Sequence, residues 1–213
     1  MPAPEREMTG SHVELARLGT ATVHEAAGRA QVVDAPLIQI VPGSRAAGPA
    51  RTVRCGQDDN LMVHAAIAEA EPGEVLVLTM PEPRPVALVG ELLATQAKVA
   101  GVVGLLVDAA VRDVDELREV GLPIWARYVR VSGAKKRTPG VIGEPVEVGG
   151  AHIRQGDAVV LDADGAVVVE RERIDDVLAS ALAREERERE KRKKLEAGEL
   201  SYDLDGLRDL VES

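Results

Sequence analysis

The stretch from Gly90 to Asp113, GELLATQAKVAGVVGLLVDAAVRD, narrows the possible folds more than any other part of this chain. Glu91 opens a helix-like apolar run through Leu92, Leu93 and Ala97, and Gly101 breaks it. Val102 to Val107 then reads as a strand with no polar alternation, the mark of a strand buried on both faces. A strand of that kind belongs in a sheet covered by helices. The ligand crevice of such a sheet lies beyond the carboxyl ends of its strands, which is where Arg112 and Asp113 follow. Twenty residues separate Glu91 from Arg112, about one helix plus one strand, so the acid and the Arg-Asp pair can meet at one end of a single αβ unit. Composition agrees: hydrophobic residues make up 45% of the chain but aromatics only 1%, with no Phe, so the core must be built from Val, Leu, Ile and Ala.

The flanks extend the same α/β texture. Thr22 and Glu25 form a capping-box pattern for a short helix ending near Gly28, with His24 in its first turn as a surface residue. Pro36 to Val41 and Ala46 to Cys55 read as strands around the Pro42-Gly43 turn. Asp59 is placed to cap a helix over LMVHAAIAEA, inside which His64 is expected to be packed and hydrogen-bonded. Glu74 to Thr79 is a buried-strand run, and PEPRP at 81–85 is a loop leading to Glu91. Beyond Asp113, VDELREV forms a helix closed by Gly121, and Pro123 to Tyr128 another strand. From Val129 the pieces are short and β-like. DADG at 162–165 signals a hairpin that pairs Val159 and Val160 with Val167 and Val168.

Ile174, Val177, Leu178, Ala181 and Leu182 form an apolar stripe, after which residues 184–194 contain no apolar side chain. A helix polar all round is solvated and held by i,i+4 ion pairs, or it crosses a gap to a neighbour. Too polar to dock on its own subunit, this run leads to Leu195, Leu200, Leu204, Leu207 and Leu210, which need something to pack on. A homo-oligomer is the expectation.

At 213 residues the length suits one domain with appendages. A net charge of -10 argues against a nucleic-acid surface, since phosphate binding needs a basic face. No apolar run is long enough for a membrane span, the opening MPAPEREMTG lacks a signal-peptide stretch, and the single cysteine, Cys55, fits a reducing compartment. A cytoplasmic location follows. Phosphate-loop and dinucleotide glycine patterns are absent, as is Cys/His zinc spacing, and Ser132 has no nucleophile-elbow context. Carboxylates and an arginine remain. Asp113 could bind a hard cation, Arg112 a substrate carboxylate or developing enolate, and the amides of Leu92 and Leu93 a carboxylate, with Glu91 passing a proton. On local pattern alone, Arg112 and Asp113 could equally serve only to cap the helix VDELREV.

From Thr20 into the tail the sequence resembles the class II pyruvate aldolases that cleave 4-hydroxy-4-methyl-2-oxoglutarate and 4-carboxy-4-hydroxy-2-oxoadipate. These belong to the superfamily named for the regulator of ribonuclease E activity A. The resemblance is carried by ATVHEAAGR, PGSRAAGPARTV, DDNLMVHAAI, EPGEVLVL, GELLAT, VDAAVRDVDELREVGLPIWAR, GDAVVLDADGAVVV and KLEAGEL. An acid, twenty residues and then Arg-Asp is that family's signature, here Glu91, Arg112 and Asp113. The resemblance implies an α/β fold, a swivelling three-layer α/β/β sandwich with a C-terminal helical arm. Residues 1–10 would be a flexible leader, 11–170 the aldolase-like domain and 171–213 an arm making trimer or hexamer contacts.

It further implies that Asp113 ligates Mg²⁺ or Mn²⁺ directly, with Glu91 acting through water and Glu188 of a neighbouring subunit in the outer shell. Gly90, Leu92, Leu93 and Arg112 would hold the 2-keto acid. The implied activity is retro-aldol cleavage to pyruvate with oxaloacetate decarboxylation as a side activity, and neither nucleic acid nor membrane is a partner. The superfamily's ribonuclease regulators, which lack the acid at the Glu91 position, supply the alternative of a non-catalytic interaction protein. The segment VRVSGAKKRTPGVIGEP departs from the family's usual one while keeping Lys136, and SYDLDG departs from its usual ending.

Overall fold

The computed structural model describes residues 10–29 and 31–212. In chain order the elements are α1 (Gly10–Leu18), α2 (Thr20–Ala26), β1 (Ile38–Gln39), β2 (Ala46–Arg54), α3 (Leu61–Ala68), β3 (Val75–Thr79), β4 (Ala87–Val89), α4 (Glu91–Val99), β5 (Gly104–Val111), α5 (Val114–Val120), β6 (Ile124–Val129), β7 (Val141–Ile142), β8 (Val146–Val148), β9 (Ala151–Ile153), β10 (Ala158–Asp162), β11 (Gly165–Val169), α6 (Ile174–Glu196), α7 (Ser201–Leu204) and α8 (Arg208–Glu212). The leader expected over residues 1–10 lies outside the described residues except for Gly10, which opens α1. None of the described helices is long and apolar enough to cross a membrane.

Strands β2, β3, β5 and β6 are parallel neighbours in that order, and α3, α4 and α5 make the crossovers between them. Because the strand order advances one way and crossovers are right-handed, all three helices fall on the same face. Alanines let these helices approach the sheet closely: Ala66, Ala94 and Ala97 pack with Leu76, Leu78, Leu105, Val107 and Ile124. The opposite face is covered by β, not α. Val75, Val77, Leu106 and Trp125 pack on Val148 and Ile153 of the β8–β9 hairpin and on Val159, Leu161 and Val168. Trp125 is buried, and its indole Nε1 donates to the Asp162 carbonyl at 2.7 Å, the partner such a group needs in an apolar core. The result is a three-layer α/β/β sandwich.

The β10–β11 hairpin pairs Val159 with Val168 and Val160 with Val167, the register expected from DADG. Its alternate residues turn outward, where Val160, Val167 and Val169 meet Leu15, Val23, Val177 and Ala181 of α1, α2 and α6. Helix α1 has no counterpart in the sequence reading; its buried residues become a face only through this packing. Helix α2 starts at Thr20, two residues before the expected capping box, because a tertiary cap outcompetes the local one. Asp162 accepts from the Thr20 amide at 2.8 Å and from its hydroxyl at 2.6 Å. His24 consequently sits in the last turn, and it is half-buried and not on the surface.

The C-terminal arm also departs from expectation at its start. Val177 and Ala181 bury against the chain's own α1 and α2, and the polar run begins by pairing there too, Arg17 Nη1 with Glu185 Oε1 at 2.6 Å. Lys191 then holds Asp205 at 2.6 Å, folding α7 back toward α6. Leu200, Leu207, Leu210 and Val211 remain exposed.

Asp59 shows how the fold positions its loops. Fully buried, it accepts from the Leu61 amide at the start of α3 at 2.9 Å and from the Arg137 and Thr138 amides at 2.7 and 3.0 Å. Burial alone would raise its pKa, but those donors outweigh it and hold the carboxylate below its ordinary value. Asp59→Ala is expected to cost about 2–4 kcal/mol in denaturant unfolding, since buried amides lose their acceptor. With the folded pKa depressed, the contribution of Asp59 is fully present above the ordinary carboxylate range and is lost as pH falls through the folded value. The difference in stability between parent and variant should therefore shrink on acidification.

Candidate active site

The short strand β4 brings the predicted residues together. It runs parallel to the end of β5, with Ala87 opposite Ala110 and Val89 opposite Val111, so the chain leaves both strands at the same edge. Gly90 and Glu91 follow one strand, Arg112 and Asp113 the other, and the Arg112 amide donates to the Val89 carbonyl at 3.1 Å. Asp113 precedes α5 in the left-handed region at φ 60°, and its carboxylate makes no capping bond to that helix. It turns instead to the neighbouring helix, accepting from the Glu91 amide at 3.2 Å, while Arg112 Nε lies 3.5 Å away. Asp113 thus stands at the N-cap position of α5, where its carbonyl accepts from the Leu117 amide at 2.8 Å, but its side chain does no capping. A non-glycine residue held at positive φ with its side chain aimed away from the adjacent helix is strain of the kind found at functional sites.

Each remaining residue has a definable place. Glu91 heads α4, its Oε1 accepting from the Thr95 hydroxyl at 3.0 Å. The amides of Leu92 and Leu93, in the first turn, have no intrahelical acceptor by helix geometry and point toward negative charge. Leu93 is buried and Leu92 is 80% exposed, so it is the backbone and not the side chain of Leu92 that belongs to the site. A Cβ at position 90 would push against the Asp113 carboxylate, and one at 133 would come within 2.6 Å of Arg112 Nη1, so a side chain at either place would displace the groups of the site. Sequence reasoning missed Gly133; only the tertiary approach of its loop to Arg112 reveals it.

Gly90, Leu92, Leu93, Arg112, Asp113 and Gly133 line a cavity of about 560 Å³ that also reaches Asn60, His64, Gln96 and Lys136, whereas Glu91 is not part of its lining. His64 was expected to be hydrogen-bonded within its helix, but its Nε2 is buried with no partner and borders this cavity. Burial first, then the charge of Lys136, lowers the pKa of His64 and keeps it neutral. Glu188 does not line the cavity of its own chain; it pairs with Arg184 Nε at 2.8 Å on α6. A wider recess of about 720 Å³ between Arg54, Thr79 and Pro145 contains Cys55. Burial, followed by the charge of Asp59, pushes that thiol up to about 12, far from a nucleophile. Among the described residues no three His, Cys, Asp or Glu side chains converge on one point. A hard cation here would therefore rest on Asp113, half-open to solvent and beside Glu91, and would share its shell with substrate and water. That donor set suits Mg²⁺ or Mn²⁺ and is too small and too hard for structural zinc.

Comparison with known proteins gives the same direction. The family model described as RraA-like, Aldolase/RraA, matches residues 20–168. A Halalkalibacterium halodurans protein provisionally named 4-hydroxy-4-methyl-2-oxoglutarate aldolase is 38% identical over 63% of this chain and 64% of its own length. The chain thus spans just under two thirds of that relative. A Burkholderia mallei protein of the same provisional name is 37% identical over 67% of this chain and 86% of its own. Among solved structures, Streptomyces coelicolor RraAS2, described as an unusual member of the RNase ES inhibitor RraA protein family, superposes with a TM-score of 0.78 at 29% identity. That match covers 90% of this chain and 99% of the other.

Proposed function

Because the chain belongs to the RraA-like family of aldolases and RraA proteins, we propose that it is a carbon-carbon lyase cleaving a 4-hydroxy-2-oxo diacid to pyruvate and a second keto acid. The observation that carries the proposal is the Asp113 carboxylate turned from its own helix onto the Glu91 amide, which sets Asp113 and Arg112 beside the first turn of α4 in one cavity. The substrate's 2-oxo acid carboxylate lies on the Leu92 and Leu93 amides. Glu91 draws the proton from the 4-hydroxyl through water, the C3–C4 bond breaks, and its electron pair passes to the 2-keto oxygen as the enolate of pyruvate. Arg112 faces that developing charge with its planar guanidinium. Protonation at C3 then yields pyruvate. Mg²⁺ or Mn²⁺ held by Asp113 would supply Lewis-acid stabilisation of the enolate. Oxaloacetate decarboxylation passes through the same enolate and is the proposed side activity.

The likeness to RraAS2 favours a rival reading, a non-catalytic interaction protein. Retention of an acid at Glu91, with its carboxylate braced by Thr95, favours the enzyme. Pyruvate release from a panel of 4-hydroxy-2-oxo diacids, with and without Mg²⁺, decides between the two: release supports the lyase, and none from any member leaves the interaction protein.

The proposal includes a homo-oligomer, trimer or hexamer, whose arm brings Glu188 to a neighbouring copy's Asp113. The exposed Leu200, Leu207, Leu210 and Val211 beyond the charged run support it. Truncation after Ala183 is expected to lower both oligomer mass in sedimentation and metal-dependent turnover, while Glu188→Gln lowers turnover with assembly intact. A truncated protein of parental mass and rate would leave the arm a solvated tail.

A further inference from the structure

Strand β5 carries a single charged residue in an otherwise apolar run, and that residue stands where the strand is irregular. Val107 and Ala109 on either side of it both face the helix-side core, so the Asp108 side chain points to the opposite face, away from the catalytic cavity. It is 3% exposed there, and its Oδ1 accepts from Nε and meets Nη2 of Arg127 on β6, both at 2.5 Å. All eight residues of β5 are buried. A carboxylate in such a place carries a desolvation penalty that its partner's charge roughly offsets, so an apolar pair of the same volume would serve stability as well. What the ion pair adds is a fixed geometry.

The geometry fixed here is a β-bulge. Val107 stands opposite Ala126 and Ala110 opposite Tyr128, so Asp108 and Ala109 together face Arg127 alone. The ion pair thus joins a residue of the bulge to the single residue across from it. The other edge of β5 changes partner at the same place, pairing with β3 up to Val107 and with β4 from Ala110 on. Beyond the bulge the strand is held on both edges. The Ala110 amide donates to the Val86 carbonyl at 3.1 Å, the Arg112 amide to the Val89 carbonyl at 3.1 Å, and the Arg130 amide to the Val111 carbonyl at 3.0 Å. A bulge re-aims the residues that follow it, and here those are Arg112 and Asp113. Drawing it out would slide β5 by one residue against β6 and turn both side chains to the opposite face, away from Gly90 and Glu91.

We infer that Asp108 and Arg127 are positioning residues: their ion pair locks the β5 bulge and thereby holds Arg112 and Asp113 at the head of α4. Neither residue lines the cavity, so the effect passes through the backbone of residues 109–111. The inference rests on the proposed site, since it takes Arg112 as the group that meets an anionic ligand, but not on any cleavage taking place there.

The test is a double-mutant cycle on the binding of oxalate, a planar dianion shaped like the enolate of pyruvate, measured by calorimetry in the presence of Mg²⁺. Asp108→Asn keeps the side-chain volume and removes the charge. It is expected to weaken oxalate binding tenfold or more in the parent, but less than twofold in the Arg112→Lys background, where the contact that the bulge aims is already lost. A pair that only stabilises the fold would lower the melting temperature and leave the affinity of the folded protein unchanged, or reduce it by the same factor in both backgrounds. Either result overturns the inference. Arg127→Lys keeps the charge but gives up the contact through two nitrogens, and it replaces Asp108→Asn if that variant does not fold. A threefold or greater loss with the same dependence on Arg112 is expected of it, and parental affinity overturns the inference. The two readings fail separately. A coupled loss of oxalate binding without pyruvate release from any hydroxy diacid would sink the lyase and leave the role of the pair standing, whereas release by Asp108→Asn at the parental rate would do the reverse. A parent protein that neither binds oxalate nor releases pyruvate overturns both.

Discussion

Arg112→Lys is expected to lower kcat/KM for pyruvate release by far more than tenfold, a loss of transition-state stabilisation above about 1.4 kcal/mol. Lysine keeps the charge, so a charge-only role would survive the change. What it cannot reproduce is the flat two-pronged contact of a guanidinium. The structure shows a slot shaped for that plane: Gly133 leaves no side chain against Nη1, and Nε faces the Asp113 carboxylate at 3.5 Å. The ammonium of a lysine, on a stem without that fork, would contact either the carboxylate or the enolate but not both. The loss should appear mainly in kcat, because the enolate charge exists only beyond the ground state. A variant within threefold of the parent would mean that Arg112 merely packs at the cavity wall.

Chelation is the second large effect. EDTA is expected to abolish cleavage, and Mg²⁺ or Mn²⁺ to restore it, because on the proposed mechanism the enolate needs more positive charge than one arginine provides. The rival route to the same products is a Schiff base on lysine, which requires a desolvated amine near the substrate. Lys98 is ruled out for that purpose by its own bond, donating from Nζ to the Val120 carbonyl at 2.6 Å where it caps the end of α5. Lys136 lies in the cavity but is exposed. Full activity in chelator, with pyruvate trapped on a lysine by borohydride, would overturn the metal reading and turn attention to Lys136.

Much of the αβ architecture was legible in the sequence because it is local. The unbroken apolar run before Arg112, the turn signal DADG and the Gly121 stop depend on neighbours within one element, and strand and helix periods report them directly. The twenty-residue spacing between Glu91 and Arg112 likewise predicted that the two would share one end of a unit. Other features needed the folded chain. The start of α2 moved because Asp162, far along the sequence, caps it better than Thr22 does. Strand β4, three residues long, has too little pattern to read alone, yet its pairing with β5 sets Gly90 beside Asp113. Whether Asp113 caps α5 or serves the site could not be told from DVDELREV, since both roles use the same residue at the same position. The folded chain shows that the side chain leaves its own helix for the Glu91 amide, with the backbone at φ 60°. His64, Asn60, Gly133 and Lys136 form one wall only because the loop bonded to Asp59 folds across α3. That is a contact between distant segments, and no periodicity within either segment encodes it.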